Sequence, residues 1–148
     1  MLHVPVALID ATVEVPRPAR PGDAGLDLRA RTGAVLAPGG GRALIPTGLI
    51  LAIPAGHAGY VLPRSGLALN HGVTCLNAPG LIDAGYRGEV GVVLINLDPT
   101  EAFEVEVGDR IAQLVIAPVP EVVLEVVSVE ALGETDRGAG GFGHSGAR

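Results

Sequence analysis

Asp83 and Tyr86 stand close together in Gly80-Leu81-Ile82-Asp83-Ala84-Gly85-Tyr86-Arg87-Gly88-Glu89-Val90, a turn-rich run that follows Asn77-Ala78-Pro79 and leads into an apolar stretch. A carboxylate can take a proton from an attacking water, and an aromatic ring can lie against a sugar. Exposed backbone can offer a donor and an acceptor to one base edge. A turn carboxylate with a packing tyrosine is the alternative reading of the same residues. Near the C-terminus, Arg137-Gly138-Ala139-Gly140-Gly141-Phe142-Gly143-His144-Ser145-Gly146 joins a guanidinium, serial glycines and a ring. Glycines let backbone N–H groups approach phosphate oxygens, Arg137 adds charge, and Phe142 offers a flat face to a base. Gly138-x-Gly140-x-x-Gly143 also satisfies a dinucleotide-binding pattern, but no strand leads into it and no helix pattern follows, so that match is coincidental.

The remaining polar residues narrow the chemistry. The four histidines, His3, His57, His71 and His144, show no zinc spacing, and His71 with Cys75 reads as a structural pair. Ser65 in Arg64-Ser65-Gly66 lacks the Gly-x-Ser-x-Gly elbow of a nucleophilic serine. Asp109 and Arg110 suit a turn ion pair, with Arg110 open between a structural and a functional part, and Asp23 suits the start of a strand. A formal charge of −6, with ten arginines and no lysine, gives no basic field for a polymeric nucleic acid. A few converging guanidiniums can still hold a small polyanion, because each presents a planar fork to phosphate oxygens. Cys75 is the only cysteine, which excludes an intrachain disulfide and suits a reducing, cytoplasmic compartment. Met1–Asp10 has no secretory pattern, and prolines and glycines interrupt the uncharged Ala43–Pro63 run too often for a membrane-spanning helix.

These groups need a scaffold, and 148 residues match one domain. Hydrophobic residues make up 48% of the chain and aromatics only 3%, so the core must be aliphatic. Apolar runs punctuated by Gly and Pro predict short strands over Val4–Ile9, Gly25–Ala30, Arg42–Pro46, Leu49–Ile53, Ala58–Leu62, Gly72–Asn77, Gly88–Asn96, Phe103–Val107, Arg110–Pro118 and Val122–Val126. Gly80 to Val90 reads as a β-hairpin carrying Asp83 and Tyr86 near its tip. Val90 to Ile95 is apolar almost throughout, as in a strand covered on both faces or lying at a subunit interface. Only Ser65–Asn70 suggests a short helix, with Ser65 as its cap. The fold class is all-β, a β-sandwich or jelly roll. Residues 1–130 form the β domain, and residues 131–148 read either as a disordered tail or as a flexible arm that clasps phosphate and base.

Five segments carry a resemblance. Asp23-Ala24-Gly25-Leu26-Asp27-Leu28-Arg29-Ala30, Pro63-Arg64-Ser65-Gly66-Leu67-Ala68, Gly80 to Val90, Gly108-Asp109-Arg110-Ile111-Ala112-Gln113-Leu114 and Arg137 to Gly146 resemble, in order, the five motifs of the homotrimeric dUTPases. The resemblance implies a jelly-roll homotrimer that hydrolyses dUTP to dUMP and pyrophosphate with Mg²⁺, each site assembled from three subunits. It implies Asp83 as general base and Tyr86 beneath the deoxyribose, where a 2′-OH would clash. Backbone from about Asn77 through Leu81 and Ile82 to Asp83 is expected to read uracil and exclude thymine. Arg64, Ser65, Gly66 and Gln113 match phosphate-contacting positions, and Asp27 matches a supporting carboxylate that meets the metal through water. Arg137 is expected on the γ-phosphate and Phe142 on the uracil face, with Gly143, His144 and Ser145 closing over the phosphates. His144 departs from many members, which carry Ser there.

Mg²⁺ keeps much of its water shell and is commonly held through substrate phosphates, so the absence of an acidic cage in the sequence is no objection. Two rival readings remain. A dCTP deaminase resembles the same fold, but that family carries a catalytic Glu where Val93 stands, and Val cannot shuttle a proton. A trimeric nucleotide-binding module without catalysis would not need both Asp83 and the complete tail.

Overall fold

The computed structural model describes residues 1–141. Two antiparallel four-stranded sheets form a jelly-roll β-sandwich. The first has the order β1 (Val6–Leu8), β4 (Arg42–Leu51), β8 (Glu89–Asn96), β6 (Val73–Cys75). The second has the order β2 (Leu26–Arg29), β10 (Arg110–Pro118), β5 (His57–Leu62), β7 (Gly80–Ile82). A separate ribbon pairs β3 (Ala34–Leu36) with β9 (Phe103–Val105), an α-helix, α1 (Ser65–His71), follows β5, and Glu130–Leu132 form a 3-10 turn.

Period-two burial builds the core. Along β8, Val90, Val92, Leu94 and Asn96 are buried, while Gly91, Val93 and Ile95 face outward. Leu28, Ile45, Leu49, Val61, Val73, Ile111 and Leu114 meet them from the other strands, an aliphatic interior with no fully buried aromatic ring among the described residues. Among the described residues two polar side chains are buried, Thr47 and Asn96, and Asn96 is the fully buried one. Its amide donates to the carbonyls of Leu36 (3.1 Å) and Glu101 (2.8 Å) and its oxygen accepts from Asp98 N–H (2.9 Å), tying the ribbon to the first sheet.

Several local expectations change. The two strands expected over Arg42–Pro46 and Leu49–Ile53, with a break at Thr47–Gly48, are one: β4 runs through the break as a bulge where the register with β8 shifts between Pro46 and Ile50. β3 has no counterpart in the sequence pattern, because Ala34–Leu36 is too short to show a period and exists by pairing with β9. The helix start uses Arg64 as its cap residue with no side-chain cap bond, so Ser65 is its first residue and not its cap. Gly72, at φ 65°, ends it in the left-handed conformation that Gly adopts without a Cβ penalty. The Gly80–Val90 hairpin is corrected: β7 lies in the second sheet and β8 in the first, so the segment crosses the sandwich. Val122–Val126 is not a strand, and every residue from Pro120 to Ala139 is exposed. A strand needs a partner for its backbone groups, and none of the described residues supplies one there. Among the described residues, no helix is long and apolar enough to cross a membrane.

Candidate active site

The first group of polar side chains grows from a bulge in β10. Asp27 on β2 pairs with Gln113 on β10, so the two share a face of the second sheet. Arg110 is an odd number of residues from Gln113 and would point to the opposite face of a regular strand. The register shift between Arg110 and Ala112 returns it to the face of Asp27. Arg110 Nη1 then reaches Asp27 Oδ2 at 3.2 Å, and Arg64 Nε stands 3.6 Å from Asp27 Oδ1. Arg64 also donates from Nη1 to the Arg110 carbonyl at 2.8 Å, and Gln113 Nε2 donates to the Pro63 carbonyl at 3.0 Å. Two guanidiniums therefore face one carboxylate, leaving positive charge for an anion.

Gly25 belongs to this arrangement, because a Cβ there would collide with Gln113 Oε1. A cavity of about 320 Å³ opens beside these groups, with Asp23, Gly25, Asp27 and Gln113 in its wall. Ser65 and Gly66 follow Arg64 on the exposed first turn of α1. Arg110, left open by the sequence, is thus part of the cluster. Its place beside Gly108-Asp109 in the fourth motif was the available signal. Asp109 does not pair with it, because its carboxylate accepts the Glu106 N–H at 2.9 Å.

The second group lies on the crossing from β7 to β8. Ile82 is buried and anchors the crossing, whereas Asp83 just beyond it is exposed, as is Leu81. Tyr86 N–H donates to the Asp83 carbonyl at 3.0 Å and closes a tight turn. The Tyr86 hydroxyl donates to the Glu89 carbonyl at 3.0 Å, and its ring lies across Gly88, where a Cβ would run into the ring. Arg87 Nη1 donates to the carbonyls of Ala84 and Tyr86, both at 2.7 Å, which stiffens the loop. Tyr86 remains 46% exposed, enough to offer a ring face to a ligand. Asn77 is exposed on the approach to β7, ahead of a cis Ala78–Pro79 bond.

The two groups do not meet within one chain. β5 carries both neighbours: Ile82 pairs with Gly59, whereas Gln113 pairs with Leu62. Asp83 therefore lies beside the Ala58 end and Arg64 just beyond the Leu62 end, with about 13 Å of strand between them at ~3.3 Å per residue. Arg137 is exposed in a local turn, its Nε donating to the Gly140 carbonyl at 3.0 Å, and makes no hydrogen bond or ion pair to the β domain among the described residues. Phe142, Gly143, His144 and Ser145 lie outside the described residues.

Among the described residues, no group of three His, Cys, Asp or Glu side chains is placed to hold a metal ion. The Asp27 carboxylate already faces two guanidiniums, so its chemistry suits a water-mediated contact to an ion carried by phosphates better than a direct bond. His71 stacks against Phe103 with ring centroids 5.1 Å apart, and Cys75 is buried, its thiol pushed up to about 11 by desolvation. Both geometries are structural.

The dUTPase family model matches residues 11–146. The deoxyuridine 5'-triphosphate nucleotidohydrolase of Syntrophotalea carbinolica is 54% identical over 146 residues, covering 98% of this chain and 97% of that protein. That of Cutibacterium acnes is 49% identical over 146 residues, covering 99% and 94%. Among solved structures, the Staphylococcus bacteriophage 80alpha dUTPase with dUPNHPP superposes with a TM-score of 0.86 at 29% identity, covering 99% of each chain. A mutant dUTPase from phage phi11 of S. aureus, described as coordinating a structural Mg(II) ion, gives 0.73 at 27% identity, covering 85% of this chain and 97% of that one. With a family model spanning nearly all of its length and relatives near half identical throughout, this chain belongs to the dUTPase family.

Proposed function

We infer that the protein hydrolyses dUTP to dUMP and pyrophosphate at sites shared between the chains of a homotrimer. Such an activity limits uracil incorporation into DNA and supplies dUMP for thymidylate synthesis. The observation that carries the shared site is the separation along β5: a base-and-ring group at one end and a guanidinium cluster at the other, each incomplete alone. A second copy bringing its Asp83 loop to the Asp27–Arg64–Gln113 face would unite them. Two surfaces support association. The outward face of the first sheet presents Leu44, 67% exposed, beside Val93 and Ile95, and the apolar segment Val122–Val129 has no covering partner among the described residues.

In this reading Asp83 takes a proton from water as the water oxygen bonds to phosphorus and the bond between the α- and β-phosphates breaks, pyrophosphate leaving with the electron pair. Tyr86 lies beneath the deoxyribose and excludes a 2′-hydroxyl. Backbone from Asn77 to Asp83, with Leu81 and Ile82, reads the uracil edge, and Arg64, Ser65, Gly66 and Gln113 hold phosphates. Residues 131–148 act as an arm beyond the β domain of residues 1–130. Arg137 takes the γ-phosphate, Phe142 covers the base, and Gly143, His144 and Ser145 close over the triphosphate. Mg²⁺ bound to the phosphates would offset charge developing in the transition state, with Asp27 touching its water shell. The lone thiol Cys75 suits a cytoplasmic setting, and the negative charge without lysine suits a small substrate over a nucleic-acid polymer.

Two inactive proteins test the shared site, one carrying Asp83→Asn and the other ending at Asp136. Refolded together and purified through tags on both chains, they should regain dUTP hydrolysis, because some sites receive an intact Asp83 from one chain and an intact arm from another. No recovery above the parents in verified mixed assemblies would refute the shared site.

A further inference from the structure

The bulge in β4 is closed by side chains of β4 and β8. Where the register shifts between Pro46 and Ile50, Thr47 Oγ1 donates to the Val90 carbonyl at 2.6 Å, and Gly48 N–H donates to Glu89 Oε1 at 2.7 Å. Gly48 is buried at φ 76°, and a Cβ on it would run into Val13, so Glu89 supplies an acceptor that water cannot readily replace. The same Oε1 accepts from Arg31 Nε at 3.3 Å, and Arg31 Nη1 stands 3.9 Å from Asp10 Oδ2. At its other end, the backbone carbonyl of Glu89 accepts the Tyr86 hydroxyl at 3.0 Å. One residue therefore grips the bulge with its side chain and the Tyr86 ring with its main chain.

We propose that Glu89 is a positioning residue for sugar discrimination, anchoring the start of β8 to the β4 bulge so that its carbonyl holds the Tyr86 ring at a fixed height. The proposal rests on Tyr86 lying beneath the deoxyribose. Without the carboxylate, Gly48 N–H loses its partner and the bulge relaxes. The carbonyl that meets the Tyr86 hydroxyl then moves, and the ring yields room for a 2′-hydroxyl. A charge at residue 89 is not itself required, because an amide oxygen also accepts from Gly48.

The readout is the ratio of kcat/KM for dUTP to that for UTP. Glu89→Ala should lower it by about tenfold, the scale of leaving one buried N–H without an acceptor. Glu89→Asp should lower it as well, because its carboxylate is withdrawn by about one C–C bond, ~1.5 Å. It also carries the test if the Ala variant does not fold. Glu89→Gln should restore the ratio. Asp98→Ala, which removes the acceptor of the Thr100 and Glu101 N–H groups past the opposite end of β8, should cost stability and leave the ratio unchanged. Tyr86→Ala, measured in parallel, separates the two inferences. If it narrows the ratio while Glu89→Ala and Glu89→Asp do not, the role of Glu89 is overturned alone. If Tyr86→Ala leaves the ratio intact, the sugar reading falls first. A ratio that falls equally in Asp98→Ala would make Glu89 merely structural.

Discussion

Replacing Asp27 with Asn separates scaffold from site at the guanidinium cluster. The substitution keeps the shape of the side chain but removes the charge facing Arg110 at 3.2 Å and Arg64 at 3.6 Å. These are partly exposed pairs, with side-chain exposures of 22% for Asp27, 45% for Arg110 and 28% for Arg64, so solvent screens them. Pairs of this kind contribute roughly 0.5–1 kcal/mol each at most, or about 1–2 kcal/mol together. In a domain of this size that lowers Tm by roughly 2–8 °C. Activity should suffer more. An Asn amide can turn a donor toward Arg64, leaving its guanidinium held only by the Arg110 carbonyl, and a misplacement of about 1 Å costs on the order of 10²-fold. Thermal unfolding and steady-state pyrophosphate release from dUTP would be measured side by side, with Asp98→Asn as a comparison that weakens a distant turn. The expected result is a modest fall in Tm for both and a loss of kcat/KM for Asp27→Asn only. An Asp27→Asn protein that loses Tm as expected yet hydrolyses dUTP at the normal rate would refute the assignment of this cluster to phosphate.

Two further outcomes follow from the same geometry. Asp83→Asn should retain dUTP binding by calorimetry while turnover falls on the order of 10²–10⁴-fold, and near-normal hydrolysis would remove Asp83 from the mechanism. The buried Cys75 thiol, raised from 9.0 to about 11, favours its neutral form in the folded state. Its contribution to stability should be complete below pH 9 and decline as the pH rises toward 11, and native protein at pH 8 should resist alkylation until unfolded.

Much of the molecule was legible in the order of residues because its signals are local. The nearly continuous apolar run Val90–Ile95 and the alternation of Phe103 and Val105 with Glu104, together with turn glycines and prolines, specify short strands and an aliphatic sandwich, although which residues of β8 face the core shows only once it pairs. The roles proposed for Asp83, Tyr86 and Gln113 likewise rest on the motifs that carry them. Partnership was not. Local pattern cannot say that β7 and β8 belong to different sheets, that Ala34–Leu36 finds β9, or that Val122–Val126 finds no strand among the described residues, because each depends on a segment remote in the chain. Arg110 shows the reason most sharply. Its odd spacing from Gln113 points it away from Asp27 in any regular strand, and only a bulge brings it back. Glu89 sits in a recognised motif yet acquires its contacts from a glycine N–H and an arginine more than forty residues away. Side-chain periodicity is a property of the chain, whereas register, bulges and the distance between Asp83 and Arg64 arise only when strands pair.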